Sequence, residues 1–323
     1  MRRHPLLAVL AAVLVLAGCQ HAASSSDAAP YPTGPVTMTA GAGPGSGFDL
    51  TIRSVVDALQ KEKIVDVPLP IQNRPGGSGA DFLATMVEQF RGSDSQVSVT
   101  SLSMMMNQIR GKSKYGYRDA TMIARLMTEY FVVVTGPRSP LTNLGDLVAA
   151  LKTNPAAVKV GAAHDDEAPF DLLMSAAGAD PAAVHYVTHE GGGEQSAALA
   201  NGGIDVAIGG VSEFIDQVKS GDLKGLGVLS EKPLPGLDVP TARAQGLDVT
   251  LSNWRGLYGP PDMPAAAVAY WQTALGKMVT SPTWRQTAEK SQFTTTFMIG
   301  AEYQAFLTKT QTDVAAALRK AGQ

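Results

Sequence analysis

Residues 37–59, TMTAGAGPGSGFDLTIRSVVDAL, constrain the fold most. A short apolar strand, Val36 to Ala40, runs into Gly41, Gly43, Gly45 and Gly47, with Pro44 and Ser46 between them. The chain leaves as a helix over Phe48–Gln60, with Phe48, Ile52, Val55, Val56 and Leu59 on one face. A strand, a glycine turn and a helix N-terminus form an α/β unit in which free N–H groups and the helix dipole both favour an anion. The arrangement recurs. Asn73-Arg74-Pro75-Gly76-Gly77-Ser78-Gly79 lies between the apolar run Val67 to Ile71 and a helix bearing Phe82, Leu83, Met86, Val87 and Phe90. Glu190-Gly191-Gly192-Gly193-Glu194 lies between Val184 to Val187 and the alanine-rich segment Gln195 to Ala200. Two readings stay open: three ordinary turns between strand and helix, or loops that converge on a small carboxylate-type ligand.

At 323 residues the chain is long enough for two domains, and 45% apolar content supplies a sizeable core. Residues 1–18 hold Arg2 and Arg3 and no acid, so the remainder carries 24 basic against 29 acidic residues, a net of −5. With no basic tract, the charge balance argues against nucleic-acid binding as the main role. An anion would have to be captured by local groups rather than by the overall field.

The N-terminus reads as a processing signal: Arg2 and Arg3, the apolar run Leu6 to Leu16, then Leu16-Ala17-Gly18-Cys19. The run is too short for a comfortable membrane span. Leu-Ala-Gly-Cys resembles a bacterial lipobox, which makes Cys19 the expected lipidated residue and residues 1–18 the signal peptide. A plain secretory signal with an incidental Cys is the other reading. Cys19 is the sole cysteine, so no disulfide forms within the chain. Residues 19–30, rich in Ala and Ser, read as a flexible tether. The expected location is extracytoplasmic, on a lipid anchor at the cell membrane.

From Tyr31 onward strands and helices alternate as in α/β proteins. Expected strands include Val67–Ile71, Ile123–Leu126, Tyr130–Thr135, Val158–Ala162, Val184–Thr188 and Trp254–Tyr258. Ser212 looks like the cap of a helix over Glu213–Lys219, and two helices close the chain. The halves look like two α/β lobes, one inserted in the other. Nucleotide motifs are absent: Gly41 to Gly47 lacks a Lys-Ser/Thr ending, and the spacing is wrong for a dinucleotide fingerprint. There is no G-x-S-x-G elbow, no H-E-x-x-H and no recognisable pair of catalytic carboxylates. A metal site from His164, Asp165, Asp166, His185 and His189 is conceivable, but polar loop residues and a strand histidine explain them better. No catalytic residue, metal or cofactor is therefore expected.

Four segments carry a family resemblance: Tyr31-Pro32-x-x-Pro35-Val36 with the glycine loop and Asp49; Asn73 to Gly79; His185-Tyr186-Val187 with the triple glycine, Glu194 and Gly202-Gly203-Ile204-Asp205-Val206; and Asp238-Val239-Pro240-Thr241 with Trp254-Arg255-Gly256-Leu257-Tyr258-Gly259-Pro260-Pro261. In this order they resemble the substrate-binding proteins of tripartite tricarboxylate transporters, the TctC or Bug family, from residue 31 to the C-terminus. The resemblance implies a two-lobed, Venus-flytrap fold of the type II periplasmic-binding class, and a monomer is expected. It implies a ligand carboxylate gripped by backbone N–H groups from both lobes. It also implies delivery to a permease of a large and a small transmembrane subunit, with no enzymatic step. Lobe one would span 31–129 and 255–323, and lobe two 130–254. A receptor for an ABC importer, or one that presents its ligand to a sensor kinase, has the same sequence features; a secreted enzyme is disfavoured.

On that reading Pro44, Gly45, Ser46 and Gly47, with Asn73, Gly76, Gly77 and Ser78, hold a carboxylate at lobe one, and Ser101 adds a hydroxyl. Gly191, Gly192 and Gly193, with Ala163, His164 and His189, hold the distal end at lobe two. Asp49 either caps the first helix or meets an amino group on the ligand. Two departures from the family pattern bear on specificity. The usual glycine- and serine-rich loop of lobe two is replaced by Ala162-Ala163-His164-Asp165-Asp166-Glu167, and the usual Pro-Tyr-Lys-Gly by Thr188-His189-Glu190-Gly191. Losing a Lys and gaining acids weakens a polyanion. It favours a smaller carboxylate, or a ligand that also carries a cationic or amide group.

Overall fold

The structure is a computed structural model that describes residues 31–320. The expected signal peptide, Cys19 and the tether lie outside the described residues. β1 (Thr37–Ala40) feeds the glycine loop and α1 (Gly47–Lys61). Ser46 caps α1, its Oγ accepting the Asp49 N–H at 3.3 Å. The strand expected over 67–71 is displaced: β2 is Ile71–Asn73. Pro68 and Pro70 have no N–H to donate, so this stretch only accepts, from the N–H groups of Val36 at 3.1 Å and Met38 at 2.8 Å.

Next come α2 (Ala80–Gln89), β3 (Gln96–Ser101), α3 (Ser103–Ile109) and β4 (Thr121–Thr135). The two strands expected around 123–126 and 130–135 are one continuous strand. The intervening Met127, Thr128 and Glu129 stay in register with Arg255, Trp254 and Asn253. The chain continues with α4 (Leu144–Thr153), β5 (Lys159–Ala162), α5 (Glu167–Ala176), β6 (His185–Thr188), α6 (Gly192–Asn201), β7 (Val206–Gly210), α7 (Val211–Ser220) and β8 (Lys224–Val228). It ends with β9 (Ser252–Gly259), α8 (Ala265–Met278), α9 (Pro282–Ser291), β10 (Thr294–Ile299) and α10 (Gly300–Lys320). Two expectations fail here. α7 begins at Val211 after Gly210, so Ser212 is not its cap; the Ser212 Oγ donates to Glu129 Oε2 at 2.6 Å. The C-terminal part holds three helices and a strand rather than two helices, because α9 buries only Trp284 and shows no apolar period.

Strands run in the order β2-β1-β3-β9-β4-β7-β5-β6, with β8 and β10 also on β4. Pairing is parallel among β1, β2 and β3 and among β5, β6 and β7, and antiparallel wherever β4 or β9 takes part. β4 is the shared element. Its residues 121–130 pair with β9, and Phe131–Thr135 pair with β7 and β8. Each half has its own core. One gathers Met38, Ile52, Leu59, Trp271 and Trp284 under α1, α8 and α9; the other gathers Val133, Leu147, Phe170, Leu173 and Ile208 under α4 and α5. Full burial of each large apolar side chain stabilises by about 1.5–3 kcal/mol. The result is a two-lobed α/β fold whose parallel strands aim their C-terminal ends, and the glycine loops, at one cleft.

Candidate functional site

The loops before α1 and α6 touch. Gly191 sits at φ +140°, and a Cβ added there would stand 2.4 Å from the Ser46 Cβ. A Cβ on Gly193 would stand 2.7 Å from the Pro44 carbonyl oxygen. Only glycine permits an approach this close. At the junction lies a carboxylate of the protein itself. The Gly47 N–H donates to Glu213 Oε1, and the Gly192 N–H donates to Glu213 Oε2 at 2.9 Å. The N-termini of α1 and α6 therefore converge on an anion supplied by the first turn of α7.

Arg255 on β9 stands behind this carboxylate. It is 4% exposed, its Nε donates to Glu129 Oε1 at 2.8 Å, and a second nitrogen lies 2.6 Å from the same oxygen. Glu213 Oε1 is farther from that guanidinium, 3.9 Å. Glu129 is fully buried, and its other oxygen takes the Ser212 hydroxyl and N–H. The guanidinium also lies 5.4 Å from the Phe48 ring centre.

In front lies a cavity of about 310 Å³, counting its open mouth. Its walls are Ala42, Ser46, Gly47, Phe48 and Ser78 from one half, Ala163, Asp165, Asp166, Gly191 and Glu213 from the other, and Asn253 and Arg255 at the base. An adjoining cavity of about 260 Å³ shares Phe48 and Ser78 and has the apolar walls Leu83, Val99, Met104 and Tyr258. Burial, and then the neighbouring acids, raise the acidic groups here. Burial is the main cause that pushes Glu213 up to about 7, against the pull of Arg255. Burial, followed by Asp165 and Glu213, holds Asp166 well above the usual carboxylate range. Asp165 is raised as well, again by burial first.

The residues singled out from sequence divide into two groups. Ser46, Gly47, Ser78, Ala163 and Gly191 line the cavity, Pro44, Gly45 and Gly193 form the loop contact beside it, and Gly192 packs on Glu213. Ser78, at φ +51°, accepts the Asp165 N–H on its Oγ at 3.3 Å and so ties the two halves together. The remainder serve the scaffold. Asp49 is not the helix cap, nor is its carboxylate open to a ligand amine. It accepts from the Gly45 N–H at 2.9 Å, Arg53 Nε at 2.9 Å and Asn73 Nδ2 at 3.0 Å. Burial raises its pKa, but those bonds outweigh burial and leave it lowered. Asn73 also donates to the Ala42 carbonyl at 3.0 Å, which holds the first glycine loop. A Cβ on Gly76 would strike Asp81, and the Gly77 carbonyl accepts from Asn107 Nδ2 at 2.9 Å.

Ser101 lies off the cavity: its Oγ bonds Ser103 Oγ at 2.9 Å and accepts the Ser103 N–H at 3.1 Å. The His189 Nδ1 turns back to the Val187 carbonyl at 2.8 Å. His164 is half-buried beside the cavity wall, with its Nδ1 unpartnered. Among the described residues no group of three or more His, Cys, Asp or Glu is placed to hold a metal ion. Glu213, Glu129 and Asn253 escaped the sequence reading. An acid in the first turn of a helix is what the dipole favours anyway, so Glu213 gave no sign of reaching across to two loops.

The profile of a family described as "Tripartite tricarboxylate transporter family receptor" matches residues 52–322. A UPF0065 protein from the TAR-I ttuE-ttuC' intergenic region of Agrobacterium vitis is 27% identical over 244 residues, 73% of this chain and 68% of that one. Among solved structures, the periplasmic binding protein BugD superposes with a TM-score of 0.84 at 17% identity, covering 90% of this chain and 99% of that one. MatC from Rhodopseudomonas palustris, solved with bound malate, gives a TM-score of 0.78 at 20% identity, covering 91% and 100%. These likenesses extend over both halves and share the two-lobed periplasmic-binding fold.

Proposed function

The chain belongs to the tripartite tricarboxylate transporter receptor family, and from that membership we propose that it is an extracytoplasmic solute-binding lipoprotein. It captures a small carboxylate, a di- or tricarboxylate or related organic acid, and delivers it to a permease of a large and a small transmembrane subunit. Cys19 carries the lipid, and residues 19–30 link it to the binding unit. Lobe one is 31–129 with 255–323, and lobe two is 130–254. The observation that carries this reading is the convergence of glycine loops from both halves on a single cavity, with a carboxylate already seated at two helix N-termini. The malate in MatC supports an organic acid as the ligand.

A thermal-shift screen of the purified protein against di- and tricarboxylates, aromatic acids, amino acids, phosphate and sulfonates tests the reading. A ligand that binds only the folded state stabilises it by about 2.7 kcal/mol at a hundredfold excess over Kd. A saturable rise in Tm with an organic acid is the expected result. If no acid raises Tm, and no acid is found by mass spectrometry in an extract of the denatured protein, the reading fails.

A further inference from the structure

The two N–H groups best placed to grip a ligand carboxylate, those of Gly47 and Gly192, are taken by Glu213. What the cavity still offers is acceptors. Asp166 is 6% exposed, lines the cavity and receives no hydrogen bond or ion pair at its carboxylate among the described residues. It occupies the cap position of α5, a place where Asp ordinarily bonds the first N–H groups, yet it makes no cap bond. Asn253 is 2% exposed, and its Oδ1 is buried without a partner on the same cavity. Asp165 adds another carboxylate. The cation in the lining, Arg255, is committed to Glu129. Buried acceptors left empty are costly, and a buried carboxylate without a counter-charge more so.

We propose that the cleft binds its ligand through a cationic, hydrogen-bond-donating group, a primary ammonium, seated against Asp166, Asp165 and the Asn253 Oδ1. An ammonium presents three donors and no acceptor, which matches that set. The inference rests on the solute-receptor reading and narrows it from organic acids in general to acids that also carry an amine. A metal ion fits less well, since the acidic groups are not placed to coordinate one. An acid without an amine would bring no counter-charge to Asp166, whose burial already favours its protonated form.

Calorimetric titration of the purified protein with matched probes tests this: succinate against aspartate, butyrate against 4-aminobutyrate, then putrescine and calcium chloride. The amine-bearing member of each pair should bind at least tenfold tighter. Asp166→Asn should remove that preference with Tm unchanged or raised, and Asp165→Asn should reduce it if the first variant does not fold. Equal or tighter binding of succinate or butyrate overturns the inference and leaves the organic-acid receptor standing. Binding of calcium alone, or of no amine at all, also overturns it. If putrescine binds and no carboxylate does, the inference stands and the carboxylate reading fails.

Discussion

Both carboxylate oxygens of Glu213 accept backbone N–H groups from loops that belong to different halves of the molecule. Burial nonetheless pushes its pKa from the usual 4.5 to about 7. The unfolded chain therefore releases this proton near pH 4.5, and the folded chain keeps it until about pH 7. Between those values the folded state holds more protons, so stability falls as pH rises and then levels off. The loss over that window should approach about 3 kcal/mol, and Asp166 shifts in the same direction. Urea unfolding from pH 5 to 7.5 should show the fall, and Glu213→Gln should flatten it; an unchanged slope in the variant would acquit Glu213. Arg255 makes a second test. Arg255→Met strands Glu129 as a buried, unpaired charge and should cost about 3–5 kcal/mol, most of it recovered in the double variant with Glu129→Met. Unfolding free energies of the two variants decide the point. Arg255 was visible in the sequence as part of a motif, and Asp165 and Asp166 as acids out of pattern. Glu129 and Glu213 were not, because nothing local tells an acid on a strand or in a helix's first turn that a distant arginine or loop will meet it.

At the scale of elements, the glycine loops were legible because each lies between an apolar strand and an amphipathic helix. The polar elements were not. β10 opens on three threonines and leaves Phe297 and Met298 only half-buried, and α9 buries one tryptophan, so neither carries a period that marks it out. β4 was read as two strands because Thr128 and Glu129 interrupt its apolar run, whereas Glu129 is buried by pairing with Arg255. Three residues singled out from the sequence are placed differently for a related reason. Asp49, Asn73 and Ser101 have the chemistry of ligand contacts but spend it on the backbone and side chains beside them. The loop contact itself is testable. Gly191→Val forces a β-branched residue to φ +140° and drives its Cβ into Ser46. Ligand affinity should fall at least tenfold, because the loops cannot close. The two cores, which lie elsewhere, should keep the far-ultraviolet spectrum unchanged. Wild-type affinity in that variant would mean the loop contact has no part in binding.

For the whole molecule, the halves are joined through β4, whose residues 121–130 pair with β9 and whose residues 131–135 pair with β7. Across the cleft the contacts are of another kind: glycine backbone against backbone, one serine on one N–H, the Glu213 bonds, and the ion pairs of Glu167 with Lys112 at 2.9 Å and Arg110 at 3.5 Å. Few apolar groups bridge it, so separating the halves there costs far less than disrupting either core. A receptor that must admit and release a ligand needs such an opening, and a cross-link tests it directly. A Cβ on Gly43 would lie 3.3 Å from the Glu190 Cβ, close to the separation of about 3.5–4.5 Å in a disulfide. In a Cys19→Ser background, Gly43→Cys with Glu190→Cys should therefore oxidise to a bond that holds the cleft shut. Ligand added before oxidation should be retained through dialysis, and ligand added afterwards should not bind until the bond is reduced. Equal exchange in the oxidised and reduced protein would show that ligand enters without the halves parting, and would place the moving element in the loops alone.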